Sequence, residues 1–391
     1  MKKKRLRSQD WFDNPKDPGL TALYLERYLN YGLTRKDLQS GKPIIGIAQS
    51  GSDLSPCNRH FLKLSEHIKK GIREAGGVPM EFPTHPIQET GKRPTAALDR
   101  NLSYLSLVEV LYGYPLDGVV LTTGCDKTTP AALMAAATVN IPAIVLSGGP
   151  MLDGHYKGKK AGSGTIIWEA RKLYSKGEIN YDEFMNMATA SSPSVGHCNT
   201  MGTASTMNSI AEALGMSLPG SAIIPAPYPE RKINSYKTGK RIVGMVKENL
   251  TPSKIMTKKA FENAVVVASA IGGSSNATTH LIAIAKQMGI KFDLSNWQKL
   301  GHKIPLLVNC QPAGEHLMEG FYRAGGVPAV MKELIKNKKL NLKVMTVTGK
   351  KLGENLKSKI KVNSDVIKSF ENNLTEHAGF LVLKGNFFSS A

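Results

Sequence analysis

The stretch DGVVLTTGCDKTTPAALMAAATVNIPAIVLSGG, residues 117–149, decides the fold. It opens with an apolar run at 117–124, passes through the polar turn CDKTT, and enters an alanine-rich segment whose Pro130 suits the first turn of a helix. A second apolar run, PAIVLSGG, follows at 142–149. Two short apolar runs separated by a helix predict a strand–helix–strand crossover, which places both strands parallel in one sheet.

The same alternation occurs elsewhere in the chain. PIIGIAQS at 43–50 is a β-rich run, and the residues after Cys57 carry apolar side chains at helical spacing up to Gly76. Residues 264–289 contain another β-rich run, a glycine–serine turn and an apolar helix. We therefore predict an α/β fold, a doubly wound and largely parallel sheet with helices on both faces.

Changes in composition divide the chain into four segments. Residues 1–40 form an N-terminal arm, and residues 41–335 form the α/β domain that holds the candidate ligands. Residues 336–375, rich in lysine and asparagine, are predicted to be a connector. The last segment, 376–391, is expected to begin a β-barrel-like domain that is absent except for its first strand.

The charge of the chain is strongly positive, with 51 lysines and arginines against 31 acidic residues. Clustered cations bind nucleic acid, but these lysines are scattered and no aromatic residues are interleaved with them, so we predict no nucleic-acid partner. No apolar run reaches the roughly 18–20 residues that span a bilayer. The basic start lacks the apolar stretch of a signal peptide. We expect no membrane association and a cytoplasmic location.

Three of the four cysteines occupy similar places. Cys57, Cys125 and Cys198 each precede a predicted helix in a polar loop, although 68 and 73 residues separate them. A helix N-terminus favours the thiolate, and three thiolates at one edge of the sheet would suit a metal cluster. From spacing alone, independent buried cysteines explain the pattern equally well. Cys310 follows an apolar run and is predicted to pack in the core.

Possible oxygen ligands accompany the second cysteine. Asp126 and Lys127 follow Cys125 directly, and Glu89 lies in a turn-rich loop that could reach the same edge of the sheet. Carboxylates suit Mg²⁺, whereas a lysine would have to be neutralised or modified first. Turn caps or surface carboxylates explain Asp126 and Glu89 about as well. The glycine–serine turn at 271–277 reads more simply as ordinary turn chemistry than as an anion site.

Several longer strings resemble one family. They are SDLSPCNRH (52–60), HPIQETGKRPTAALDRN (85–101), GCDKTTPA (124–131), GHCNTMGTASTMNSIAEALGM (196–216) and AIGGSSNA (270–277). They resemble the IlvD/Edd dehydratases, and most closely the sugar-acid branch of that family. The likeness runs from about Arg7 to the final residues, and strings of this length are far more specific than short motifs.

The resemblance implies a set of cofactors and ligands. It implies that a [2Fe–2S] cluster is held by Cys57, Cys125 and Cys198, with one iron open as a Lewis acid. It also implies that Mg²⁺ is bound by Glu89, Asp126 and a carboxylated Lys127. In the family Mg²⁺ positions the substrate carboxylate and 2-hydroxyl, the open iron takes the 3-hydroxyl, and a serine removes the C2 proton. The implied substrate is a sugar acid such as arabinonate or xylonate, which becomes a 2-keto-3-deoxy acid.

The chain departs from the family near its last residues. Family members continue into a β-barrel-like domain that carries the serine base and a further Mg²⁺ carboxylate. We therefore expect no catalytic base in this chain, and a truncated or split enzyme that requires a complementing C-terminal segment. A homo-oligomer, dimer or tetramer, is also expected. The alternatives are a dihydroxy-acid dehydratase of branched-chain amino-acid synthesis and an inactive cluster-binding fragment.

Overall fold

The structure is a computed structural model that describes residues 5–30, 32–87, 96–377 and 380–387. The helices are α1 (Gln9–Phe12), α2 (Pro18–Leu29), α3 (Arg35–Gln39), α4 (Phe61–Glu74), α5 (Ala96–Gly113), α6 (Thr128–Val139), α7 (Thr165–Ser175), α8 (Tyr181–Thr189), α9 (Thr203–Ala213), α10 (Pro229–Glu248), α11 (Pro252–Ile255), α12 (Lys258–Ala270), α13 (Asn276–Gln287), α14 (Leu294–Gly301), α15 (Met318–Arg323), α16 (Gly326–Lys336) and α17 (Leu352–Asn355). The strands are β1 (Ile44–Gln49), β2 (Val78–Pro83), β3 (Gly118–Thr123), β4 (Ala143–Ser147), β5 (Gly154–Tyr156) and β6 (Lys159–Ala161).

The main sheet is parallel and has the strand order β2-β1-β3-β4. Strands β1, β3 and β4 are buried along their whole length, while β2 lies at an edge and is partly exposed. Near-continuous apolar runs are typical of parallel strands covered on both faces. Helices α4 and α10 contact one part of the sheet, and α6 contacts β3 and β4. The predicted fold, a largely parallel α/β sheet with helices on both faces, is confirmed.

The strand order creates a switch point between β1 and β3. The chain leaves β1 toward the edge strand β2, and it leaves β3 in the opposite direction toward β4. Loops that depart in opposite directions open a crevice at the carboxyl ends of the two strands, where α/β proteins commonly bind ligands. Cys57 lies in the loop after β1 and Cys125 in the loop after β3, so the topology brings these two loops to the same crevice.

Helices α4 and α10 cross unusually closely, because each has a glycine at the crossing. A Cβ atom on Gly71 of α4 would overlap the carbonyl oxygen of Tyr236, and one on Gly239 of α10 would overlap the carbonyl oxygen of Ile68. Both obstacles are backbone atoms, which cannot swing away. The two glycines therefore set the distance between the helices.

Gly239→Ala is expected to destabilise the protein by about 1–3 kcal/mol, the usual cost of an added methyl in a packed interface. Alanine normally stabilises a helix interior by about 1 kcal/mol relative to glycine. A fall in the free energy of unfolding would therefore support the packing argument, and a rise would contradict it. Gly244→Ala on the same helix is the control, because its Cβ would meet the movable end of Arg241. Urea unfolding of both variants measures the difference. Equal effects at the two positions would contradict the close crossing.

Two expectations for local structure were wrong. The β-rich run predicted at the start of 264–289 is part of α12, which ends at Ala270. Val265, Val266 and Val267 are all buried, and tertiary packing of this helix overrides the β preference of valine. The strand expected within 379–391 does not occur in residues 380–387. There the nitrogen of Val382 donates to the side chain of Gln298 instead of joining a strand ladder.

Much of the lysine-rich segment 336–375 packs into the main core. Its buried side chains include Val344, Val347, Leu352 and Ile367, which belong to the same hydrophobic cluster as the sheet. No helix in the described ranges is both long and apolar enough to cross a bilayer.

Candidate metal-binding site

The turn that carries Cys125 is built by the first residue of α6. The hydroxyl of Thr128 donates to the carbonyl oxygen of Cys125 at 3.1 Å and accepts from the nitrogen of Gly124 at 3.2 Å. The nitrogen of Cys125 donates to Oδ1 of Asn58 at 3.1 Å. Because Asn58 follows Cys57, this bond joins the loop after β3 to the loop after β1.

The thiols of Cys57 and Cys125 are in hydrogen-bonding contact. This contact lowers the pKa of Cys57 despite its burial. The pKa of Cys125 lies well above its usual value, because of the same contact, its burial and the neighbouring Asp126 carboxylate.

A buried ion pair lies beside the two thiols. Cys125 Sγ donates to Asp126 Oδ1 at 2.9 Å, and Lys127 Nζ lies 2.9 Å from Asp126 Oδ2. Only 3% of each charged residue is exposed, so these charges are shielded from solvent and interact strongly. Glu89, the third predicted oxygen ligand, lies outside the described residues.

Cys198 lies on a loop attached to the carboxyl end of β4. The backbone nitrogen of His197 donates to the carbonyl oxygen of Gly149 at 3.0 Å. The backbone nitrogen of Met151 donates to the carbonyl oxygen of His197 at 2.9 Å. The third cysteine therefore sits on a loop bonded to the same edge of the sheet as the other two. Cys198 itself is half-buried.

Two buried histidines near the cysteine loops are held neutral. Burial lowers the pKa of His60 to about 4 and that of His197 to about 3. His60 Nε2 donates to the carbonyl oxygen of Gly148 at 2.9 Å. His197 Nδ1 donates to the carbonyl oxygen of Cys198 at 3.0 Å. These hydrogen bonds hold segments of the backbone together, so both histidines have a structural role.

The site combines soft thiols with a hard carboxylate, but it does not form a binding site for a single ion. Within the described ranges, no three His, Cys, Asp or Glu side chains gather closely enough to hold one metal ion. Cys310 is buried, burial raises its pKa to about 12, and its Sγ lies 3.8 Å from the carbonyl oxygen of Leu317. It packs in the core, as predicted from its apolar surroundings.

Three cavities, of about 650, 670 and 820 Å³, have no cysteine among the described residues that line them. One of about 650 Å³ opens at the amino edge of the sheet beside Arg7, Lys42 and Lys247, so chemistry rather than cavity size marks the candidate site. The glycine–serine turn at 271–277 bonds to α9 through Ser274, whose nitrogen donates to Thr206 Oγ1 at 3.0 Å. That agrees with ordinary turn chemistry.

Sequence reasoning missed the polar residues beneath the site. Arg231 is fully buried and donates to the carbonyl oxygens of Ser147, at 2.6 Å, and of Ile224. Burial lowers its pKa to about 9, and burial raises the pKa of nearby Glu212 to about 7. The Glu212 carboxylate accepts from the backbone nitrogens of Gly220 and Ala222. An arginine within an amphipathic helix gives no sequence signal of burial.

Comparisons with known proteins show to which family the chain belongs. The family model described as the dihydroxy-acid/6-phosphogluconate dehydratase N-terminal domain matches residues 42–355. The chain is 59% identical over 388 residues to D-xylonate dehydratase of Caulobacter vibrioides, covering 99% of this chain and 65% of that protein. It is 46% identical to L-arabinonate dehydratase of Rhizobium leguminosarum bv. trifolii, covering 99% of this chain and 67% of the relative.

A more distant relative is named for a different activity. Dihydroxy-acid dehydratase of Caldanaerobacter subterraneus is 40% identical over 365 residues, covering 92% of this chain and 66% of that protein. The chain thus spans about two thirds of the length of the relatives it matches. The resemblance seen in the sequence is confirmed, and the chain belongs to the dihydroxy-acid/6-phosphogluconate dehydratase family, whose N-terminal domain it contains.

Proposed function

We propose that this chain is the cluster-carrying part of a sugar-acid dehydratase, a hydro-lyase that converts an aldonate such as xylonate or arabinonate to a 2-keto-3-deoxy acid. The observation that carries the proposal is the contact between the Cys57 and Cys125 thiols at the switch point, beside the buried pair of Asp126 and Lys127. Two relatives that act on such acids by name, at 59% and 46% identity, support it.

The cysteines fit an iron–sulfur cluster better than a single ion. Cys57, Cys125 and Cys198 would hold a [2Fe–2S] cluster, whose thiolate ligands bind different irons and so lie farther apart than the ligands of one ion. Soft thiolates favour iron–sulfur clusters over hard cations. When bound, the cluster would supply an open iron as a Lewis acid for a leaving hydroxyl.

A hard cation would be held next to the thiols. Asp126 supplies one carboxylate there, and Glu89 together with a carboxylated Lys127 would complete the set for Mg²⁺. In the chain as described, the Lys127 ammonium neutralises Asp126. A carbamate on Lys127 would turn that positive charge into an oxygen ligand. The bound Mg²⁺ would then take over the neutralisation of Asp126.

The rest of the reaction needs groups that we assign outside this chain. The serine base is expected in the third of the relatives that this chain does not match, so the chain alone is expected to bind cofactors without turning over substrate. The homo-oligomer stays a prediction. Dihydroxy-acid dehydratase activity is the second candidate, and the relative at 40% identity favours it less than the sugar-acid relatives do.

Anaerobic purification of the chain is expected to yield about two irons and two acid-labile sulfides per molecule, the content of one [2Fe–2S] cluster. Iron and sulfide analysis measures both. A folded chain that contains zinc or no metal after anaerobic reconstitution would contradict the cluster. Formation of a 2-keto acid by the chain alone would contradict the placement of the base, and turnover of a branched dihydroxy acid in preference to xylonate would favour the second candidate.

A further inference from the structure

Asn208 occupies the middle of α9 and is buried, yet its side chain makes four hydrogen bonds. Its Oδ1 accepts from Thr129 Oγ1 at 3.0 Å and from Thr123 Oγ1 at 3.3 Å. Its Nδ2 donates to the carbonyl oxygen of Gly124 at 3.3 Å and to His197 Nε2 at 3.2 Å. One amide therefore uses both donors and both acceptor positions.

Three of the four partners of Asn208 lie within two residues of a cysteine. Thr123 and Gly124 are the last residues before Cys125, whereas His197 directly precedes Cys198. His197 continues the connection, because its Nδ1 donates to the carbonyl oxygen of Cys198 at 3.0 Å. A chain of hydrogen bonds thus runs from the turn of Cys125 through the side chains of Asn208 and His197 to the backbone of Cys198.

The choice of asparagine has a physical reason. Asparagine is a poor helix former, and a buried amide costs free energy unless its groups are bonded. The four bonds offset that cost only when both loops are in place, so the network favours one spacing of the loops. Aspartate would lose both donors, and serine is too short to reach both sides.

A second asparagine makes the corresponding connection on the other side. Asn58 follows Cys57, and its Oδ1 accepts from the nitrogen of Cys125 at 3.1 Å. It is fully buried, like Asn208. The two asparagines connect the three cysteine loops in the order Cys57, Cys125, Cys198.

We infer that Asn208 is a positioning residue that fixes the Cys198 thiol relative to the Cys57–Cys125 pair, with Asn58 holding the pair itself. The inference deepens the proposed function, on which it rests, because it specifies what keeps three thiols from distant segments within reach of one metal centre.

The test uses Cd²⁺ as a soft probe of the reduced, metal-free chain under anaerobic conditions. Soft thiolates bind Cd²⁺, and the cadmium–thiolate absorbance in the ultraviolet gives the number of thiolates per chain that bind cadmium. The wild-type chain is expected to offer three. Asn208→Ser is expected to offer two and to lose about a third of the absorbance, as Cys198→Ser should, because the loop of Cys198 is no longer held to the turn of Cys125.

The matched control is Asn263→Ser. Asn263 is a fully buried helix asparagine whose Oδ1 accepts from the nitrogen of Asn341 and whose Nδ2 donates to the Asn341 carbonyl. It touches no cysteine loop, so this variant should lose thermal stability while still offering three thiolates. His197→Phe breaks the same connection from the other side, and it replaces Asn208→Ser as the test if that variant does not fold.

The outcomes separate the inference from the proposed function. Three thiolates in the wild type and in folded Asn208→Ser or His197→Phe would overturn the role of Asn208 and leave the cluster site standing. Two or fewer in the wild type would overturn both. A loss in Asn263→Ser equal to that in Asn208→Ser would overturn the positioning role, because general loosening would then explain the change.

Discussion

Cys125→Ser is expected to leave the anaerobically reconstituted chain without the visible absorbance of a cluster, and its iron content should fall by about tenfold or more. Cys125 is the central thiol of the site, since it contacts both the Cys57 thiol and the Asp126 carboxylate. A serine hydroxyl is a hard donor that does not ionise near neutral pH, so it cannot replace the thiolate. Absorbance spectra and iron analysis measure the loss.

The control for this prediction is Cys310→Ser. Cys310 is also buried, but it packs in the core near the carbonyl oxygen of Leu317. The same substitution there should keep the absorbance and the iron. Retention of colour by folded Cys125→Ser, or its loss from folded Cys310→Ser, would show that the cluster site has been misassigned.

Arg231→Met is expected to destabilise the protein by about 3 kcal/mol or more, the range for breaking a buried charged network. Methionine keeps much of the volume but leaves the carbonyl oxygens of Ser147 and Ile224 without their donor, and each unsatisfied buried group costs about 1–3 kcal/mol. Glu212 also loses the cation that favours its ionised form. Urea unfolding near neutral pH measures the change.

Arg323→Met is the matched control for Arg231. Arg323 pairs with Glu319 at 2.7 Å, but 68% of its side chain is exposed. An exposed pair contributes about 1 kcal/mol or less, so the control should unfold almost as the wild type does. Similar losses for both variants would contradict the view that the buried guanidinium supports the turn after β4.

The parts of the fold that could be predicted are those with strong local patterns. β1, β3 and β4 are uniformly apolar runs bounded by turns, and the helix after Cys57 has a clear apolar periodicity. The edge strand β2 was not identified, because its partly exposed sequence VPMEFP shows neither a buried run nor strict alternation. The start of 264–289 was misread because three consecutive valines suit a strand locally and only their packing among helices decides otherwise.

The candidate site also has features that the sequence predicts and features that it does not. The placement of Cys57 and Cys125 at strand ends followed from the alternation of strands and helices, and the structure brings these two together. The raised pKa of Cys125 could not be foreseen, since it depends on a contact with Cys57 and on burial. Asn208 gave no sequence signal, because it stands among other polar residues of α9. Arg231 gave none either.

The attachment of the Cys198 loop also sets an order of events during synthesis. The loop is bonded to the residues after β4, and Val145 of that strand pairs with Ser217, beyond α9. Translation delivers Cys57 and Cys125 first, while the residues that hold the third loop are still to be made. On the proposed function, the complete set of three cysteines is therefore available only after the ribosome has passed α9. A nascent chain interrupted earlier would expose two paired thiols without the third.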